Sequence, residues 1–126
     1  MELNHELVRD FLLLIEKSTN MRGPSEQEFI NVASSHKADK QLAGYTLDKL
    51  YEAGFIELKP LIGNSRYAFL ESGNLTYNGH SYLDNIRDNT IWKNTKSKIS
   101  STVGSASLEI ISKVASDLIA RSLGLN

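Results

Sequence analysis

Apolar residues at Leu3, Leu7, Val8, Phe11, Leu14 and Ile15 recur at the spacing of one helical face, while Glu6, Arg9, Asp10, Glu16 and Lys17 take the opposite side. Asn4 stands where an N-cap belongs, so the pattern predicts a first helix ending near Thr19. Gly23 and Pro24 break the periodicity, and Ser25 followed by Glu28 forms a capping box that opens a second helix from Glu26 to about Ser34. Phe29, Ile30 and Ala33 would face inward from it. The polar stretch Ser35 to Asp39 reads as the turn of a helix-turn-helix. A third helix is expected from near Ala38 to Ala53, with Leu47 and Leu50 inward and Lys40, Gln41, Gly44, Tyr45 and Asp48 outward.

At Gly54 the helical pattern stops and an apolar, β-prone run, Phe55 to Leu58, begins. A return arm from Arg66 to Leu70 alternates in the same way, and Gly63-Asn64-Ser65 supplies turn residues between the arms. Pro60 cannot donate to a ladder and marks an edge or the end of pairing. The predicted class is mainly α with a small β-hairpin (α+β), a winged helix-turn-helix followed by additional C-terminal helices.

After the Ser72-Gly73-Asn74 loop, Thr76 can cap a fourth helix carrying Tyr82, Leu83 and Ile86 on one side. Gly79 in its first turn weakens that start by roughly 1 kcal/mol relative to alanine. Ile91 and Trp92 open a basic segment expected to stay helical as far as Lys98 before a break at Ser100 to Thr102. The last element, Ser105 to Leu123, carries Leu108, Ile110, Ile111, Val114, Ala115, Leu118 and Ile119. So wide an apolar face needs more than one neighbour, or a partner chain. The expected organisation is a winged core over 1–74, a helical extension over 75–100 and a C-terminal amphipathic helix over 101–126.

Composition narrows the class further. A chain of 126 residues with 40% hydrophobic and 23% charged residues has the profile of an ordinary globular protein. With no cysteine there is no disulfide framework, thiolate zinc site or thiol nucleophile, which suits a cytoplasmic setting. No apolar run is long enough to span a membrane, and the first residues are acidic, unlike a signal peptide. The formal net charge is -1. Through Glu71 there are 8 basic and 11 acidic residues, whereas Arg87, Lys93, Lys96 and Lys98 face only Asp88. Basic charge is concentrated after the hairpin, which counts against nucleic-acid binding by the winged part.

His5, His36 and His80 lack metal-ligand spacing, and no phosphate loop, nucleophile elbow or dinucleotide fingerprint occurs. The sequence therefore predicts no enzyme activity, catalytic residue, metal or cofactor.

YTLDKLYEAGFI, LTYNGHSYLDNIRDNTIW and SLEIISKVASDLI together resemble a family of small winged-helix proteins without assigned function from bacteria, prophages and phages. The second block matches the family pattern at Leu75, Thr76, Gly79, His80, Tyr82, Leu83, Asp84, Ile86, Arg87, Asp88, Thr90 and Trp92. Thr46 stands where that pattern has a histidine, so no role is carried over to it. The resemblance, running from about Leu42 to the C-terminus, implies a winged-helix fold and a mobile-element setting.

Two functions follow as expectations. As a DNA-binding regulator, the protein would use Lys37, Lys40, Gln41 and Tyr45 in the groove, with Lys59 and Arg66 of the hairpin on double-stranded DNA backbone. It would form a homo-oligomer through Leu108, Ile111, Val114, Leu118 and Ile119, with Trp92 as a further anchor. The alternative is a protein-interaction module, an adaptor or inhibitor docking a host or phage protein through the last helix. For Trp92 the sequence also allows a place in the core, the reading favoured here.

Overall fold

The structure, a computed structural model, describes residues 1–125. These form six helices and one two-stranded antiparallel sheet, an α+β arrangement divided into two units, Met1–His80 and Ser81 onward.

In the first unit, α1 (His5–Lys17), α2 (Glu26–Ser35) and α3 (Lys40–Glu52) pack on one another. Leu7, Phe11, Phe29, Leu47 and Leu50 are fully buried, and the Phe11 and Phe29 rings meet edge to face at 5.1 Å. Asn4 caps α1 by accepting from the Glu6 and Leu7 amides, and Ser25 and Glu28 close the capping box of α2. The turn into α3 passes through Lys37 in the left-handed region (φ 57), and Asp39 then caps α3 by accepting from the Leu42 amide at 2.8 Å. Helix α3 therefore starts at Lys40 rather than near Ala38: Asp39 holds its extended conformation to reach back to Leu42.

Gly54 ends α3 with φ +77, and the Phe55 amide donates to Leu50 O at 2.9 Å. This is a left-handed glycine cap, and the chain leaves it extended, as the sequence predicts. The partner of that extended stretch differs from the prediction. Ile56 bridges antiparallel to Leu75, with Glu57 N donating to Asn74 O and Leu58 N to Ser72 O, while the hairpin itself is formed by β1 (Leu61–Gly63) and β2 (Arg66–Phe69). Pro60 marks the change of partner. Asn64 and Ser65, both with positive φ, make the two-residue turn between the strands.

Helix α4 (Tyr77–Ile86) starts where Thr76 Oγ1 accepts from the Gly79 amide and its hydroxyl donates to Gly54 O. The small residue at 79 is required there, since a Cβ would sit 2.2 Å from Phe55 O.

In the second unit Asp88 caps α5 (Asn89–Thr102) and Ser107 caps α6 (Leu108–Ser122). Helix α5 runs through the predicted break at Ser100 to Thr102, with the Ser100 and Ser101 hydroxyls donating to the Ser97 and Lys98 carbonyls of the preceding turn. Helices α5 and α6 pack together, Trp92, Thr95, Ile99, Ile111 and Ala115 are buried, and Asn85 Nδ2 donates to Ser112 Oγ at 2.9 Å.

Candidate functional site

Gly44 decides which face of α3 meets solvent. A Cβ at that position would lie 2.2 Å from Tyr67 Cγ, so the Tyr67 ring rests directly on the α3 backbone. The Tyr67 hydroxyl donates to Asp48 Oδ2 at 3.1 Å. Desolvation, reinforced by the Asp48 carboxylate, pushes the Tyr67 phenol up to about 12. Gly44 and Asp48, expected on the outward face, lie instead beneath the hairpin.

Two of the sequence-predicted cations are drawn into the same fastening. Lys40 Nζ donates to Ala68 O at 3.2 Å and pairs with Glu26 Oε1 at 3.3 Å; Glu26 Oε1 also accepts from the Leu70 amide at 2.9 Å. The ammonium is therefore tied to α2 and β2 instead of reaching outward. Lys59 Nζ lies 4.0 Å from Asp48 Oδ1. Thr46 is buried and donates its hydroxyl to Leu42 O at 2.8 Å, which is a structural role.

On the accessible side, Gln41 and Tyr45 occur at four-residue spacing, and Lys37 is exposed in the turn that precedes them. Lys49 continues the row. It was absent from the predicted site although its spacing from Tyr45 would have found it. Its Nζ lies 5.3 Å from the Tyr45 ring centroid and donates to Glu52 Oε2 at 2.9 Å, a hydrogen bond that raises the Lys49 pKa above its ordinary value. Arg66 is exposed at the start of β2, beside the exposed turn residues Asn64 and Ser65. The hairpin also exposes Leu61, Ile62 and Phe69, at 57%, 54% and 44%.

Among the residues expected at a partner interface, Trp92 and Ile111 are each only 3% exposed and belong to the interior of the second unit. Their apolar surface is already covered, so neither offers a contact to another chain. Leu108, Val114, Leu118 and Ile119 are half-buried, and Ile110 is 48% exposed.

Among the described residues no group of three or more His, Asp or Glu side chains could hold a metal ion. No described helix is long and apolar enough to cross a membrane. His36 Nε2 and Asp10 Oδ2, at 2.7 Å, join the α2 C-terminus to α1.

Residues 2–106 match the family described as "Hypothetical protein (DUF2513)". The chain belongs to this family. It is also similar to a protein of Haemophilus influenzae described as "Uncharacterized protein", with 29% identity over 123 residues that cover 98% of this chain and 99% of the relative. No solved structure matches the chain. The family match runs through α1 to α5 and ends ahead of α6.

Proposed function

We propose that Met1–His80 is a winged helix-turn-helix that binds duplex DNA, in a non-enzymatic regulatory protein of the cytoplasm. The observation that carries the reading is the position of Gln41, Tyr45 and Lys49 on the accessible side of a capped helix whose opposite faces are closed by the core and by the hairpin. A glutamine can address an adenine edge through paired hydrogen bonds, while a tyrosine hydroxyl and lysine ammonium groups can hold phosphates. Helix α3 would enter the major groove, and Asn64, Ser65 and Arg66 would meet the adjacent backbone. The order of two helices, a tight turn, a third helix and a hairpin supports the winged assignment. The resemblance of the stretch from about Leu42 to the C-terminus to small winged-helix proteins of bacteria, prophages and phages supports a mobile-element setting. The half-covered apolar face of α6 supports pairing of two copies.

Duplex binding by the full-length protein at about 50 mM salt, weakened at least about tenfold by Gln41→Ala with Tyr45→Ala at unchanged thermal stability, is the expected result. No binding of duplex by folded protein would overturn it.

A second reading draws on Leu61, Ile62 and Phe69. A hairpin serving only phosphates would be polar, whereas these exposed side chains suit a protein partner, as in an adaptor or inhibitor that also uses α6. Stoichiometric co-purification of a protein partner, lost in Ile62→Ser with Phe69→Ser, would favour this reading over the first.

A further inference from the structure

Between Asn89 and Thr102 helix α5 carries three lysines and no carboxylate. The unit from Ser81 onward has 6 basic and 4 acidic residues, whereas the first 80 residues have 8 and 11. Positive charge is thus gathered on a unit that lacks the helix-turn-helix. Trp92, Thr95 and Ile99 define the buried side of α5, and Lys93, Lys96 and Lys98 are all exposed.

At 100° per residue, Lys93 and Lys96 fall on one flank of the exposed arc and Lys98 on the other, roughly 140° from Lys93. Thr90, Asn94, Ser97 and Ser101 lie between the flanks and add uncharged polar groups. Lys96 Nζ is 5.4 Å from the Trp92 ring centroid, so its ammonium sits against the edge of the buried side while the side chain stays exposed. A small anion would need all three donors to converge, and Lys98 projects from the opposite flank to Lys93 and Lys96. A membrane surface would need large apolar side chains on the same exposed arc, and the exposed residues of α5 are all polar or charged. Two cationic flanks with hydrogen-bonding residues between them match a groove with two phosphate walls.

We infer that the exposed face of α5 is a second, sequence-independent contact surface for duplex DNA, with Lys93, Lys96 and Lys98 neutralising backbone phosphates. The inference rests on the duplex-binding reading and adds an electrostatic grip outside the helix-turn-helix. It also accounts for how a protein with an acidic first unit could hold a polyanion.

The test is fluorescence anisotropy of a duplex of about 20 base pairs titrated with full-length protein between about 50 and 200 mM salt. Three proteins are compared: the natural sequence, the Gln41→Ala with Tyr45→Ala variant, and a variant carrying Lys93→Gln, Lys96→Gln and Lys98→Gln. Glutamine keeps helix propensity close to that of lysine, and unchanged circular dichroism confirms the fold. The lysine variant is expected to lose at least about tenfold in affinity at low salt, and its plot of log affinity against log salt to flatten by about 2 to 3. Natural affinity and slope in that variant would overturn the α5 surface and leave the α3 reading standing. A silent α3 variant beside a weakened lysine variant would uphold α5 and remove α3. No duplex binding by the natural sequence would sink both.

Discussion

Tyr67 lies across Gly44 and donates its hydroxyl to Asp48 Oδ2 at 3.1 Å, so one side chain of the hairpin covers one face of α3. This contact orients the hairpin on the helix. Gly44→Ala places a methyl group inside the Tyr67 ring and should destabilise the protein by about 1–3 kcal/mol, although alanine favours a helix. Urea unfolding measures it. Adding Tyr67→Ala should recover part of the loss, because the obstruction is then gone. A Gly44→Ala protein as stable as the natural one would mean that the ring does not rest there.

The same tyrosine predicts an alkaline response. Its folded pKa is raised to about 12, above the ordinary value of 10.0, by desolvation first and by Asp48 second. A folded pKa above the unfolded one means that the native state holds the proton longer. The stability it contributes is complete below about pH 10 and is lost as pH rises toward 12. Burial raises the Tyr82 phenol as well, so part of the alkaline loss should persist in Tyr67→Phe. Unfolding midpoints between pH 9 and 12 should fall less steeply in that variant than in the natural protein.

Glu26 and Lys40 separate fastening from recognition. Glu26→Ala leaves the Leu70 amide, on a fully buried residue, without its acceptor and should cost about 1–3 kcal/mol. Lys40→Ala should loosen the hairpin and lower the thermal midpoint, whereas Gln41→Ala should leave the midpoint unchanged. Equal and negligible effects of both would place Lys40 on the outward face after all.

Gly79 gives a prediction opposite in sign to helix propensity. Alanine there would gain roughly 1 kcal/mol from the helix alone, yet its Cβ would lie 2.2 Å from Phe55 O. The net effect should be a destabilisation of about 1–2 kcal/mol, read by urea unfolding. A stabilised variant would contradict the close approach of α4 to Phe55.

The helices were legible because their signals are local. The capping box Ser25 to Glu28, the apolar stripe of α1 and the glycine stop at Gly54 each specify backbone within a few residues. Strand partners were not, since Phe55 to Leu58 has the composition of a hairpin arm but pairs with 72–75, a choice made by tertiary packing. The accessible face of α3 was legible only in part. Periodicity separates Leu47 and Leu50 from the rest, but it does not show that Tyr67 covers Gly44 or that Glu26 takes Lys40. Those contacts join residues 23 and 14 positions apart in the chain.

Size exclusion with light scattering addresses α6. The intact chain is expected to run as a homo-oligomer, and a chain ending at Ser105 as a smaller species. A monomeric intact chain would leave the apolar side of α6 to a different partner or to none.

Amide chemical-shift mapping by NMR on the full-length protein, titrated with duplex DNA at low salt, bears most directly on the account. The prediction is that perturbations gather at Lys37, Gln41, Tyr45 and Lys49, at Asn64 to Arg66, and at Lys93 to Lys98. A titration that leaves α3 and the hairpin tip unshifted, while the duplex is present in excess, would contradict it.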